Sequence, residues 1–172
     1  MLSLKPHPSS NPRAVKSIDV ALGRTANGYR FWYFLIGDIE KIVVPGKADK
    51  ARRADDLWQT TCFEAFVKGE GEGYCEFNFS PSGDWAAYTF DGYREGMRET
   101  PSAVTVHGNV LENLLCVEAL MNADFEHSTR LCLAAVVEEK DGTKSYWSLA
   151  HPDGSPDFHH DACFAVRLAD IA

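Results

Sequence analysis

Two carboxylates, an amide and two indoles lie close together in the middle of this chain: Trp58, Glu64, Glu76, Asn78 and Trp85. The segments around them, Asp56 to Val67 and Tyr74 to Pro81, alternate in the manner of two hairpin strands. On the second, Cys75, Phe77 and Phe79 share one face, and Glu76, Asn78 and Ser80 the other. On the first, Phe63, Ala65 and Val67 oppose Cys62, Glu64 and Phe66. If the purely apolar faces turn to the core together, Glu64, Glu76 and Asn78 project from the opposite side as one polar patch. Such a patch suits a sugar. Carboxylate and amide groups exchange hydrogen bonds with hydroxyls, and an indole stacks on the apolar C–H face of a pyranose ring. The plain alternative is a solvated strand face, which antiparallel sheets carry as a rule.

Paired carboxylates also perform glycoside hydrolysis, at separations of about 5–10 Å. Directly opposed strand residues stand about 4.5–5.5 Å apart at Cβ, so distance alone permits that chemistry. A hydrolase further needs a cleft and two carboxylates in different environments, which short loops do not promise. No GxSxG, HExxH, GxxxxGK[ST] or GxGxxG is present. The expectation is a binding protein with no catalytic residues, and glycoside hydrolysis stands as a second alternative.

Near the C-terminus His151, His159 and His160 interleave with Asp153, Asp157 and Asp161. Imidazole and carboxylate are ligands for zinc and similar divalent ions, but HPDGSPDFHHD has no spacing of fixed coordination geometry. Its prolines and glycine mark a loop, where exposed His and Asp are common.

The elements that position these residues are short strands. Ile18, Val20 and Leu22 alternate with polar or small residues up to a turn at Asn27-Gly28. Tyr29 to Ile36 is aromatic and β-branched, as in a strand covered on both faces. Gly37-Asp38 is placed to close a second hairpin onto Ile39 to Val44. Further strands are expected at Thr61 to Lys68, Tyr74 to Ser80, Trp85 to Asp91, Ala103 to His107, Leu114 to Met121, Arg130 to Glu138, Lys144 to Ala150 and Cys163 to Leu168. Val110 to Leu115 has the spacing of one helical turn. About ten short strands with regular turn signals predict an all-β fold, an antiparallel β-sandwich of jelly-roll type. Residues 1–14, with Pro6, Pro8 and Pro12, form an extended or frayed arm, and 15–172 a single domain.

The chain has 172 residues, 45% hydrophobic and 24% charged, enough for a sizeable core. Seventeen basic against 25 acidic residues leave a charge of −8. The one basic run, Lys47 to Arg53, meets Asp55 and Asp56 at once, which argues against nucleic acid as a partner. No apolar run reaches membrane-spanning length, and the start has no apolar signal region. Five cysteines, Cys62, Cys75, Cys116, Cys132 and Cys163, lie in apolar runs without a CxxC. Reduced thiols and a cytoplasmic location are the expectation, with a Cys62–Cys75 bridge a minority alternative.

The run DLWQTTCFEAF, followed by YCEFNFSPSGDWAAYTFDGYREGM and later by YWSLAHPDGSPDFHHDACF, resembles bacterial DOMON-like domains related to family 9 carbohydrate-binding modules. The resemblance extends over most of residues 15–168 and implies a β-sandwich of jelly-roll character. DOMON relatives bind haem or sugars, and family 9 modules hold a sugar between two aromatic rings beside polar side chains. By position Trp58 is similar to the first sandwiching ring, Glu64 to a hydroxyl partner, and Glu76 and Asn78 to contacts on the adjacent strand. The second ring is expected near the C-terminus, where this chain has Phe158, His159 and His160. The nearest indole there, Trp147, lies earlier and inside a strand. Haem would need axial ligands. Met97 and Met121, with His107, His127 and His151, are the residues available, and no CxxCH is present. The resemblance therefore implies a small-ligand binding module, for a mono- or oligosaccharide first and for haem or a divalent metal second.

Overall fold

The structure, a computed structural model, describes residues 1–122 and 128–170. Twelve strands carry it: β1 (Leu2–Pro6), β2 (Val15–Thr25), β3 (Gly28–Gly37), β4 (Cys62–Gly69), β5 (Tyr74–Phe79), β6 (Trp85–Phe90), β7 (Arg98–Glu99), β8 (Ala103–Leu111), β9 (Leu114–Asn122), β10 (Ser128–Glu138), β11 (Lys144–Ser148) and β12 (Val166–Arg167). Every pairing between them is antiparallel. Eleven strands run in one path, β7-β6-β5-β4-β10-β11-β1-β2-β3-β9-β8, with β12 beside β10. The all-β, antiparallel expectation holds. Among the described residues the only helical elements are 3-10 turns, and no helix is long and apolar enough to cross a membrane.

The path curls until its halves face each other across one core. Tyr33 on β3 meets Phe63 on β4 at 5.0 Å between ring centroids, and Phe31 meets Phe79 on β5 at 6.1 Å. The alternation on β3 explains this. Tyr29, Phe31, Tyr33 and Leu35 are buried, while Arg30, Trp32 and Phe34 are half-buried and Ile36 is 38% exposed. The strand is thus fully covered on one face only, unlike the expectation from its continuous apolar run. Arg30 lies over the Trp32 ring and reaches Glu118 at 3.5 Å, so part of the outer face is shielded by a guanidinium rather than by a second layer.

Within the arm expected to be extended or frayed, Leu2–Pro6 is extended and pairs with β2 on one side and β11 on the other, joining the two halves. Three further expectations are corrected. No second hairpin follows Gly37. A Cβ there would meet the Ala14 carbonyl oxygen at 2.1 Å, so glycine permits the close approach, and Ile39–Lys41 then forms a 3-10 turn. Val110 to Leu115 is not helical but a two-residue hairpin, with Val110 opposite Leu115 and Leu111 opposite Leu114. Spacings of three and four residues fit both structures, and the Glu112-Asn113 turn decides between them. Cys163 to Leu168 is mostly turn, with only Val166–Arg167 extended. All five cysteines are free. A Cys62–Cys75 bridge is excluded by register, since Cys62 lies on the Glu64 face of β4, whereas Cys75 pairs with Val67 on the other.

Candidate functional site

The polar patch forms on the face of β4, β5, β6 and β10 turned away from the core. Glu64 opposes Asn78, Phe66 opposes Glu76, and Glu76 in turn opposes Tyr88. Glu64, Glu76 and Asn78 therefore share one face. The two carboxylates are diagonal neighbours, a relation that sets residues about 7–8 Å apart, with Cβ atoms somewhat closer, rather than the shorter spacing of a direct pair.

This face is not solvated. Residues 151–165 fold back over it, and Phe158, Cys163 and Phe164 pack with Phe66, Tyr74, Phe90, Cys132, Ala134 and Val136 into a second apolar cluster. Asp161 ties the segment to the sheet through Lys68 at 2.8 Å and Arg130 at 2.7 Å. These two cations hold its carboxyl far below the usual range. Asp157 binds Arg94 at 2.8 Å and accepts from the Tyr93 hydroxyl. On the opposite side the Leu57–Gln59 turn raises Trp58, and Asp55 is gripped by Arg53 and the Tyr88 hydroxyl.

Between these two loops a cleft of about 730 Å³ opens onto Glu64 and Glu76. That size lies within the ~300–1,000 Å³ typical of small-molecule sites. Its walls include the rings of Trp58, Tyr88, Phe90, Tyr146 and Phe158. Trp58 is 52% exposed at the mouth, and Met97 is also exposed there.

The carboxylates differ in their partners. Glu76 accepts from the Asn78 side-chain amide at 2.7 Å. Glu64 is only 3% exposed, and among the described residues its carboxyl has neither a hydrogen bond nor an ion pair. Desolvation and the neighbouring Glu76 push its pKa well above the ordinary carboxylate value, against a small opposing pull from Arg94. Burial raises Glu76 as well, countered by Asn78 and Arg94. Burial of both groups, and the charge of Glu76 on Glu64, favour a proton on the pair. His159 lines the same cleft with its pKa pulled down to about 4 by burial and Arg94. It is neutral near pH 7, so its Nε2, 3.7 Å from Glu76, forms no ion pair. Its Nδ1 lies 2.6 Å from the Tyr74 hydroxyl, which itself accepts from the Arg94 backbone N–H.

Of the residues expected from sequence, Trp58, Glu64, Glu76, Phe158 and His159 line one cleft, and Asn78 holds Glu76 within it. Trp85 does not join them. It opposes Phe79 and packs against the main core on the other side of the sheet. His160 also turns away, accepting the Ala162 N–H at the start of a 3-10 turn. It lies with His151 in a separate surface depression, and His151 is engaged with the Lys5 carbonyl at 2.8 Å. His159 thus parts from the other two histidines, and among the described residues no group of three His, Cys, Asp or Glu side chains is arranged to hold a metal ion. The haem ligands diverge too. Met121 is sealed in the core, His107 is exposed on β8, and Met97 and His151 line different depressions. His127 lies outside the described residues.

Sequence reasoning missed Tyr88, Arg94 and Tyr146, and weighed Asp157 only as a metal ligand; all four are in the cleft wall. Tyr88 was within reach of the register, since it follows Glu76 across β5 and β6. Arg94 sits at a positive φ of 56° in an irregular loop and has no periodic signal.

No protein-family model matches the chain, and no curated protein matches it. Its fold is shared with a putative carbohydrate-binding protein from Bacteroides uniformis, known from a crystal structure at 2.70 Å. The TM-score is 0.52, with 15% identity over 95% of this chain and 84% of that one.

Proposed function

We propose that this protein is a carbohydrate-binding module that takes a mono- or oligosaccharide in the cleft between Trp58 and the 151–165 segment. Glu64 is the observation that carries it. A buried carboxyl without a protein partner costs about 1–3 kcal/mol, and a ligand hydroxyl group in the cleft removes that cost. When protonated, Glu64 donates one hydrogen bond and accepts another, which is the pattern a sugar hydroxyl pair offers. Glu76, fixed by Asn78, accepts beside it. Trp58 supplies the ring face for the apolar side of the sugar, with Phe158 and Tyr146 across the cleft. The relationship to DOMON-like domains and family 9 modules, with a jelly-roll sandwich, belongs to this proposal. The fold shared with the Bacteroides protein supports the carbohydrate part of it. Binding without hydrolysis fits the pair as found, because Glu64 and Glu76 are both pushed toward the protonated form.

Isothermal titration and thermal-shift measurements with a panel of mono- and oligosaccharides test this reading. The expected result is saturable binding of at least one sugar, lost in Glu64→Leu while that variant stays folded. Indifference to the whole panel, or undiminished binding by Glu64→Leu, would overturn it.

A further inference from the structure

The cleft is over-supplied with acid. Asp55, Asp56, Glu64, Glu76 and Asp157 line it, against Arg94 alone. Two of these are satisfied within the protein, Asp55 by Arg53 and Tyr88, and Asp157 by Arg94 and Tyr93. The surplus is at the deep end, where Glu64 has no partner and Glu76 has only a neutral amide.

The groups facing Glu64 from every packed element bear this out. Cys62 on its own strand, Cys132 on β10 and Tyr33 on β3 are raised first by burial and further by the nearby Glu64, so all stay protonated and none offers a positive charge. Glu76 and Tyr88 approach from β5 and β6, and Tyr88 is itself raised by burial and by Asp55. Across the cleft His159 is neutral and Arg94 is spent on Asp157. Among the described residues no cation pairs with either carboxylate, and Arg94, engaged with Asp157, pulls on both only from a distance; burial therefore favours a proton on the pair.

A ligand ammonium is the natural replacement. Aromatic walls suit it further, because ring faces attract a desolvated cation by roughly 0.5–2 kcal/mol, and Trp58, Tyr88 and Phe158 provide them. Resting on the carbohydrate reading above, we infer that the ligand is an amino sugar whose ammonium group seats against Glu64 and Glu76 while its ring lies on Trp58. The exchange is balanced. The ammonium enters with its charge, Glu64 gives up its proton to the buffer, and the site ends with a carboxylate–ammonium pair in place of a carboxylic acid. Binding and proton release are then linked.

Titration calorimetry of the intact protein at pH 6.5 separates the alternatives, using glucosamine, N-acetylglucosamine, glucose and the non-sugar n-butylamine. Each is run in phosphate and in a sulfonate buffer of different ionisation heat. Glucosamine is expected to bind at least tenfold more tightly than its acetylated form or glucose. Its heat should depend on the buffer, reporting released protons, and in Glu64→Gln the preference should fall toward that of the neutral sugars. Equal affinity for glucosamine and glucose, without proton release, overturns the ammonium site and leaves the sugar reading standing. Binding of n-butylamine with no response to any sugar overturns the amino sugar together with the sugar reading. Silence from all four probes overturns the amino sugar, and failure of the wider neutral panel then removes the sugar reading separately.

Discussion

The two faces of β4 are equally dry and chemically opposite. On the inner one Phe63, Ala65 and Val67 meet the other half of the sheet in an unbroken apolar core. On the outer one Cys62, Glu64 and Phe66 are buried as completely, yet a carboxyl group lies between a thiol and a ring. Inner burial is produced by sheet against sheet, with the Phe63 ring tilted against Tyr33. Outer burial is produced by a loop held by ion pairs, and it is incomplete where the cleft opens. The inner face contributes stability. The outer face gives up some of it, and an uncompensated polar group beside a cavity is where proteins place ligands.

The sharpest way to break this contrast is to truncate one residue on each face. Phe63→Ala leaves a void in a region that cannot collapse, and should cost about 3–5 kcal/mol in urea or thermal unfolding. Glu64→Leu should act in the opposite direction and stabilise by about 1–2 kcal/mol, because it removes a largely buried carboxyl that no protein group pairs at the floor of the cleft. If Glu64→Leu is instead as damaging as Phe63→Ala, the outer face is a second core and not a site.

The acid dependence of stability refines the same point. A carboxyl whose pKa is raised in the folded state keeps a proton that the unfolded chain releases above about pH 4.3. Folding therefore loses stability as pH rises from there toward the folded-state value. His159 acts in the reverse sense. Held at about 4, it refuses below pH 6.5 a proton that the unfolded chain accepts, so its contribution declines as pH falls through that window. Comparing wild type with Glu64→Gln cancels the histidine. The wild type should become progressively less stable than the variant as pH climbs above about 4.3, measured by urea midpoints at a series of pH values. Parallel pH profiles would show that Glu64 ionises freely.

The indoles separate the faces again, with a smaller effect. Trp58→Ala should leave stability within about 0.5 kcal/mol, as for exposed positions generally, yet weaken a sugar ligand about tenfold, roughly 1.4 kcal/mol. Trp85→Ala should leave the ligand affinity unchanged and lower the melting temperature instead. Calorimetry and melting curves on the pair decide it. Reversed outcomes would place the platform at Trp85.

Much of this was legible in the sequence because period-two alternation carries both identity and orientation. The pattern CFEAFV against CEFNF put Glu64, Glu76 and Asn78 on one face, and the register agrees. What alternation does not encode is what covers that face. Residues 151–165 have no period, so nothing in HPDGSPDFHHDACF showed that Phe158 and Phe164 would seal Phe66 and Tyr74. Trp85 was misplaced for a related reason. A strand residue's face follows from the register, and Trp85 opposes Phe79 rather than Asn78. Arg94 and Asp157 meet across 63 residues of chain, a pairing set by loop conformation alone.

His159 and His160 test the limits of such reading, because adjacent histidines in one loop weigh the same in sequence. In the structure the first stands in the cleft wall, bonded to Tyr74, and the second caps a short 3-10 turn through the Ala162 N–H. His160→Ala removes only that cap, at a cost of about 0.5–1 kcal/mol. Most of the cost should disappear in His160→Asn, whose side-chain oxygen accepts the same bond. Neither variant should alter ligand affinity or proton release, since His160 faces the depression beside His151 and not the cleft. A loss of binding in His160→Asn with an unchanged melting curve would mean that the ligand reaches past Asp157 into that second depression. The site would then extend over both sides of the 151–165 segment rather than the one that faces Glu64.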